Sequence, residues 1–403
     1  MNIVWGIGGI LAVLAIAFLF SSAKRSINWR TILAGLSIQI LFAFAVLKWD
    51  LGKIGLEKFA NGVQQVIGSA NEGIAFLFGP AADAANFGFV FAFQVLTIII
   101  FFSSLIAVLY YLGIMQLFIR FIGGGLSFIL GTSKAESMSA AANIFVGQTE
   151  APLVVKPFIA NMTKSELFAV MTGGLASVAG SVLVGYALLG VPLEYLLAAS
   201  FMAAPAGLVM AKMFIPETEK SVIEEVEVER DEEAVNVIDA AARGAGDGLM
   251  LALNVGAMLL AFIGLIALIN LVLSTVTGWF GADGITLQLI LGYVFAPLAF
   301  VIGVPWEEAI QAGSYIGQKL VLNEFVAYSS FAPEIANLSP KTVIVVSFAL
   351  CGFANLSSMA ILLGGLGGLA PNRRPDIARL GIRSVAAGML ASLLSAAIAG
   401  MFV

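Results

Sequence analysis

Residues 147 to 152 read Gly-Gln-Thr-Glu-Ala-Pro, and residues 323 to 328 read Asn-Glu-Phe-Val-Ala-Tyr. Each places a carboxylate, Glu150 or Glu324, among amides or hydroxyls in a chain that is mostly apolar. The surroundings of these two acids set the fold class. Of 403 residues, 60% are hydrophobic and 11% charged, whereas ordinary soluble domains carry about 25% charged residues. Apolar runs recur from end to end, and about 20 such residues suffice for one membrane-crossing helix. No strand-like alternation of the outer-membrane type interrupts them, so the spans are helical. An ionisable group at that depth is costly and marks a function by default.

The two acids lie at matching places of an internal repeat. Leu126 to Ser137 reads LSFILGTSKAES and Leu298 to Ala309 reads LAFVIGVPWEEA. Downstream, Glu150 of NIFVGQTEAP is matched by Glu324 of LVLNEFVAY, and GGLASVAGSV from Gly173 is matched by SFALCGFANLSS from Ser347. Each copy thus holds a short amphipathic stretch, a piece interrupted by polar residues around an acid, and a span broken by Gly, Ser or Asn. Three crossings are predicted between the copies, at 165–189, 195–214 and 247–274. An odd number inverts one copy relative to the other, and inverted repeats with broken helices meeting at the midplane are the architecture of secondary transporters.

The pieces around the acids, 134–155 and 305–329, are too short to cross twice. They are expected to be re-entrant hairpins, whose non-helical tips are tolerable only where protein or a cavity surrounds them. The first tip carries Asn143, Gln148, Thr149 and Glu150, and the second Asn323 and Glu324. Unpaired amides and carbonyls at such tips can bind a polar solute or a dehydrated cation. Two broken spans, one with Ser177, Gly180 and Ser181 and the other with Asn355, Ser357 and Ser358, would close the site.

The remaining spans are expected at 3–20, 31–48, 89–118 (ended by Arg120) and 378–402. The first run lacks a basic leader and a cleavage site and is read as a retained helix. Residues 51–73 mix Lys53, Glu57 and Lys58 with spaced apolar residues, which predicts a helix lying along the interface. A Gly/Ala/Asp-rich link follows over 79–88. The organisation expected is two spans in 1–50, interfacial helices and a third span in 51–120, and the first repeat with the fourth and fifth spans in 121–214. An acidic cytoplasmic loop in 215–246, a sixth span in 247–275 and the second repeat with the seventh and eighth spans in 285–403 complete it. The fold expected is therefore an all-α polytopic membrane protein with two re-entrant helical hairpins in an inverted repeat.

The basic turns Lys24, Arg25, Arg30 and Arg373, Arg374, Arg379, Arg383 orient the chain by the positive-inside rule. Both termini then face outward, and the acidic segment 217–233 is a solvated cytoplasmic linker. The net charge of -5 is concentrated there, which gives no footprint for nucleic acid.

Other chemistries are poorly supplied. Histidine is absent, which removes His-based relays, His-Glu-x-x-His zinc sites and Ser-His pairs. The single cysteine, Cys351, excludes a disulfide framework. Gly244-Ala245-Gly246-Asp247 matches the Gly-x-Gly-Asp pattern of intramembrane aspartyl proteases. Aspartic chemistry needs a second carboxylate sharing a proton, and no other aspartate follows a Tyr within an apolar span. Asp247 is instead expected near a helix start, favouring the dipole. No enzyme is expected. A channel fits poorly too, since nothing repeats as a pore-lining ring. Taken singly, Ser177, Ser181, Ser357 and Ser358 are small residues that let helices approach. The Gly364–Gly368 run is read as a flexible or closely packed loop, with no lysine after it to make a phosphate loop.

Over its whole length the chain resembles the concentrative nucleoside transporters, in particular the bacterial sodium-coupled type. The stretches AANIFVGQTEAPLVVKPF from Ala141, GGLASVAGSVLVGYA from Gly173, GVPWEEA from Gly303, NEFVAY from Asn323 and CGFANLSS from Cys351 carry the likeness. The resemblance implies that Gln148, Thr149 and Glu150, beside Val182, hold the nucleobase, and that amide, hydroxyl and carboxylate supply its donors and acceptors. It implies that Glu324, Asn355 and Ser358, with Phe353 nearby, hold the ribose hydroxyls, the carboxylate accepting charge-assisted bonds. It further implies a sodium site at Asn143, Val146, Ser177 and Val178, made of the oxygen ligands a hard ion takes. Proton-coupled relatives tend to lack the Asn, so sodium is the coupling ion expected, with no other cofactor. The family also implies a homotrimer in the inner membrane, a scaffold of the third and sixth spans, and a moving unit that carries uridine, cytidine, adenosine or relatives.

Overall fold

Caps and glycines place the breaks in this chain. The structure, a computed structural model, describes residues 2–82, 88–221, 223, 234–279, 281 and 284–403. Part of the 79–88 link and most of the acidic 217–233 segment fall outside the described residues. Among the described residues all regular structure is helical. Helices α1 (Asn2–Leu19), α2 (Trp29–Leu47) and α3 (Asp50–Phe78) come first. They are followed by α4 (Leu96–Tyr111), α5 (Ile114–Leu130) and α6 (Lys134–Ala142). Then come α7 (Lys164–Ala176), α8 (Gly180–Leu188), α9 (Leu193–Phe214) and α10 (Val237–Gly278). The last third holds α11 (Leu287–Val301), α12 (Trp306–Val321), α13 (Glu324–Phe331), α14 (Pro340–Leu350), α15 (Leu356–Leu369) and α16 (Arg374–Ala399).

Seven helical stretches among the described residues are long and apolar enough to cross a bilayer: Asn2–Leu19, Trp29–Leu47, Phe91–Tyr111, Lys164–Leu188, Leu193–Phe214, Val237–Gly278 and Pro371–Ala399. The expected seventh span is present as two shorter apolar helices, α14 and α15. The helix expected along the interface runs on to Phe78 and buries one stripe, Ala60, Ile67, Ala70 and Ile74, as an amphipathic helix does.

The two repeats are joined to the rest by matched glycine turns. The stretches LSFILGTSKAES and LAFVIGVPWEEA are helix junctions rather than single amphipathic pieces. Gly131 (φ 68°) ends α5 before α6, and Gly303 (φ 117°) separates α11 from α12. In this left-handed region a Cβ would clash, so glycine is the residue that turns the chain. Helices α11 and α12 meet at a bend of 116°. They pack closely because a Cβ on Gly313 would lie 2.7 Å from the Ala296 nitrogen. The first helix of each hairpin, α6 or α12, leads to a tip at 143–150 or 322–323. The chain returns by the 3₁₀ turn Ala151–Val155 in the first hairpin and by α13 in the second.

Several boundaries differ from the sequence expectation. The third span stops at Tyr111, because Gly113 takes φ 78° and starts α5. Phe118 and Arg120 belong to α5. Helix α10 begins at Val237, capped by the Asn236 side chain on the amides of Ile238 and Asp239. Asp247 therefore stands well inside a 42-residue helix, and Asp239 holds the first-turn position assigned to it. The Gly244-Ala245-Gly246-Asp247 motif is a packing device instead. A Cβ on Gly244 would lie 2.5 Å from Ala107 Cβ, and one on Gly248 would lie 2.7 Å from Ser103 Cβ. Small residues at this spacing let α10 and α4 approach, and the Ser104 hydroxyl donates to the Ala241 carbonyl at 2.8 Å. The glycines 364–368 lie within α15, not in a loop.

Burial sorts the helices. The stretches Lys164–Leu188, Leu193–Phe214 and Pro371–Ala399 are 94%, 89% and 83% buried over their apolar windows, against 11% for α10 and 22% for Phe91–Tyr111. The broken helices and hairpins thus pack around α9 and α16, while α4 and α10 form a pair at the outside.

Candidate functional site

Helix α7 stops at Ser177, whose backbone is extended (φ -114°, ψ 175°), and α8 resumes at Gly180. Helix α14 stops at Cys351, and α15 resumes after Asn355. The two breaks touch: the Phe353 amide donates to the Ser177 carbonyl at 3.0 Å. A Cβ on Gly352 would lie 2.7 Å from Ser392 Oγ and 2.9 Å from the Ala176 carbonyl oxygen, so only glycine lets the breaks meet. Broken helices leave end groups without helical partners, and polar side chains take up some of them. Asn355 caps α15 by accepting from the Ser358 amide at 2.8 Å, and Ser357 Oγ donates to the same oxygen at 2.7 Å. Asn323 caps α13 by accepting from the Val326 amide at 2.9 Å.

The first hairpin tip docks on the first break. The Gly180 amide donates to the Phe145 carbonyl at 2.9 Å. Gln148 lies against Gly174, where a Cβ would approach Gln148 Cβ to 2.8 Å. Its Nε2 donates to Ser358 Oγ at 3.4 Å, joining this tip to α15. Gly147 leaves room for the Glu150 carboxylate, since a Cβ there would lie 2.5 Å from Oε2. Thr149 Oγ1 donates to Glu150 Oε1 at 3.1 Å. Thr149 also packs on Gly365, whose missing side chain makes the space.

From the second tip, Glu324 accepts from Asn355 Nδ2 at 3.0 Å and from the Tyr186 hydroxyl at 3.1 Å. The polar string Gln148–Ser358–Asn355–Glu324–Tyr186 therefore crosses from one hairpin tip to the other. The two acids differ in setting: Glu150 is exposed and Glu324 is buried. Val182, in the first turn of α8, is buried, and Phe353 is half-buried at the second break.

Asn143, Val146, Ser177 and Val178 are all buried where the first tip meets the end of α7. Asn143 Nδ2 donates to the Ser139 carbonyl at 2.9 Å, while its Oδ1 has no hydrogen-bond partner. The hydroxyls of Ser139 and Thr172 are buried and unpaired as well. Such groups are rare because each carries a desolvation cost of about 1–3 kcal/mol. Neutral oxygens at the carbonyl end of a helix are the donor set that fits a hard monovalent cation.

Sequence reasoning did not single out Tyr186. Its ring packs on Tyr328 (4.4 Å between centroids) and Phe325 (4.7 Å), and its hydroxyl orients Glu324. The available signal was a phenol in the otherwise apolar GSVLVGYA, which when buried must find an acceptor. Ser357 and Ser358, read singly as packing residues, reinforce the cap and receive Gln148.

Comparison with known proteins finds relatives along the whole chain. The family model for the Na+ dependent nucleoside transporter C-terminus matches residues 195–400, and that for its N-terminus matches 8–81. A nucleoside recognition (Gate) model matches 92–193. The uncharacterized transporter YutK of Bacillus subtilis (strain 168) is 63% identical over 100% of both chains. The solved structure of CNTnw in an inward-facing substrate-bound state is 56% identical, with a TM-score of 0.95 over 100% of this chain and 98% of that one. A doubly substituted CNTnw in an outward-facing state gives a TM-score of 0.97 at 55% identity, over the same shares of the two chains. Family models tile the chain, and a relative matches it from end to end. The chain therefore belongs to the sodium-dependent, concentrative nucleoside transporter family.

Proposed function

We propose that this chain imports nucleosides by sodium symport, with the two hairpins and their broken helices moving together as an elevator between alternating states. The observation that carries this reading is the string from Gln148 to Glu324, with an unpaired buried oxygen of Asn143 a few residues before it. Gln148, Thr149 and Glu150, beside Val182, take the base. Glu324, Asn355 and Ser358, with Phe353 alongside, take the ribose. Each carboxylate oxygen has two acceptor sites, so Glu324 can keep its bonds to Tyr186 and Asn355 while accepting from a sugar hydroxyl.

Sodium is held by Asn143, Val146, Ser177 and Val178. An ion there fixes the backbone that continues directly into Gln148, Thr149 and Glu150, so filling one site organises the other. The coupling is a linkage free energy, and nucleoside must raise sodium affinity by the factor that sodium raises nucleoside affinity. The exposed apolar face of α10, with α4 packed against the same helix, suits a scaffold in a homotrimer surrounded by lipid. The basic turns set both termini on the outer side of the cell membrane.

Reconstitution tests this. Labelled uridine, cytidine or adenosine uptake into proteoliposomes rises with an inward sodium gradient and stays flat under a pH gradient alone. Uptake that follows pH and ignores sodium removes the ion assignment, and absence of any nucleoside uptake or binding removes the whole reading.

A further inference from the structure

Lys319 is a cation buried in the second hairpin and left without a role by the assignments above. It lies in α12 with no exposed surface. Its Nζ donates to the Ala349 carbonyl at 2.8 Å and to Ser392 Oγ at 3.0 Å. Among the described residues no carboxylate forms an ion pair with it. Its partners are therefore a hydroxyl and the carbonyl end of α14, where the helix dipole and unpaired carbonyls concentrate partial negative charge.

The first repeat has the same construction with a different occupant. There the last turn of α7 lies against the first hairpin, since a Cβ on Gly173 would lie 3.3 Å from Asn143 Nδ2 and the Gly180 amide just past the break donates to the Phe145 carbonyl. Here the carbonyl end of α14 faces Lys319 of the second. The two helix ends meet, since the Phe353 amide just past α14 donates to the Ser177 carbonyl at the end of α7 and a Cβ on Gly352 would lie 2.9 Å from the Ala176 carbonyl oxygen. Two negative helix ends converging in a medium of low dielectric repel, and each is stabilised by a positive charge placed against it.

We propose that the Lys319 ammonium is a tethered cation that takes, in the second repeat, the station the sodium ion takes in the first. The inference rests on the sodium site proposed above. It gives the two hairpins different dependence on solution. The second is held to its broken helix by a charge of its own, whereas the first docks fully only with an ion from outside. One exchangeable sodium then accompanies each nucleoside, and all of the ion dependence resides in the first hairpin.

The test compares wild type with K319Q and K319R in proteoliposomes. Labelled nucleoside uptake is read against sodium concentration, and the charge moved per nucleoside is read from the reversal potential. Wild type is expected to move one sodium per nucleoside. K319Q, which offers an amide oxygen in place of the ammonium, is expected to need a second ion. Its sodium dependence steepens to a Hill coefficient approaching about 2, and half-saturation moves roughly tenfold higher. K319R keeps the single-ion dependence. Two sodium ions per nucleoside in wild type overturn the inference, as does K319Q with wild-type steepness and half-saturation. If K319Q yields no folded protein, the wild-type stoichiometry alone decides, one ion supporting and two overturning. Wild-type uptake that ignores sodium removes the symport reading and this inference with it, whereas sodium-dependent uptake unchanged in K319Q removes this inference only.

Discussion

Asn355 serves a helix start and a hairpin tip at once: its Oδ1 accepts from the Ser358 amide at 2.8 Å while its Nδ2 donates to Glu324 Oε2 at 3.0 Å. One amide side chain thus caps a half-helix and positions the buried acid of the second tip. Ser358, the residue it caps onto, receives Gln148 from the first tip at 3.4 Å. Neither tip can shift without disturbing the same helix start, so a solute placed between them is sensed by both.

Replacing Glu324 by Gln tests the ribose assignment. The amide keeps the shape but loses the charge-assisted acceptor, worth about 1.5–3 kcal/mol per hydrogen bond. Nucleoside affinity is expected to fall by about 10- to 100-fold. Free nucleobase, which lacks the sugar, should lose much less. Calorimetric titration of E324Q with uridine and with uracil separates the two, and equal weakening of both removes the assignment.

Tyr186→Phe removes one donor to Glu324 while the ring keeps its packing on Tyr328 and Phe325. The buried carboxylate is left with Asn355 as its side-chain donor, so its orientation loosens. Nucleoside affinity is expected to drop by roughly tenfold, with the steepness of the sodium dependence unchanged. An unaltered dissociation constant would show that the phenol does not hold the acid in its working position.

How far the sequence reached follows from what kind of partner each group has. The repeat, the hairpins and the acids were legible because polar residues in apolar runs stand out and because Gly131 and Gly303 sit at matching places. The end of the third span was not, because apolar residues continue through Gly113 and a backbone turn there leaves hydropathy unchanged. The start of α10 was hidden by its polar first turns, Val237 to Gly246, which look like loop. Lys319 was not legible for a deeper reason. One acceptor is the Ala349 backbone carbonyl, a group every residue carries, so composition gives no sign of the pairing. Tyr186 and Glu324 find each other only through tertiary structure, across 138 residues.

Asn143→Ala bears on the ion. The substitution removes the unpaired Oδ1 and the bond from Nδ2 to the Ser139 carbonyl. The sodium needed for half-maximal uptake is expected to rise by roughly tenfold or more, with a smaller change in nucleoside affinity at saturating sodium. Uptake measured over a sodium series with potassium replacement checks this. A curve superimposable on wild type would count against Asn143 as a ligand.

Gly352→Ala probes the meeting of the two breaks. The added methyl would lie 2.7 Å from Ser392 Oγ and 2.9 Å from the Ala176 carbonyl oxygen, and the second of these is backbone that cannot rotate away. Overpacking of this kind costs about 1–3 kcal/mol. Relief requires the ends of α7 and α14 to part, which lengthens the Phe353 to Ser177 hydrogen bond and disturbs the hydroxyl that holds Lys319. The variant is therefore expected to melt several degrees lower in detergent, with both nucleoside and sodium affinities reduced. A variant that melts like wild type yet loses both affinities would place the effect in the site alone. One that melts and binds like wild type would mean that the breaks are not held at the closeness the glycine allows.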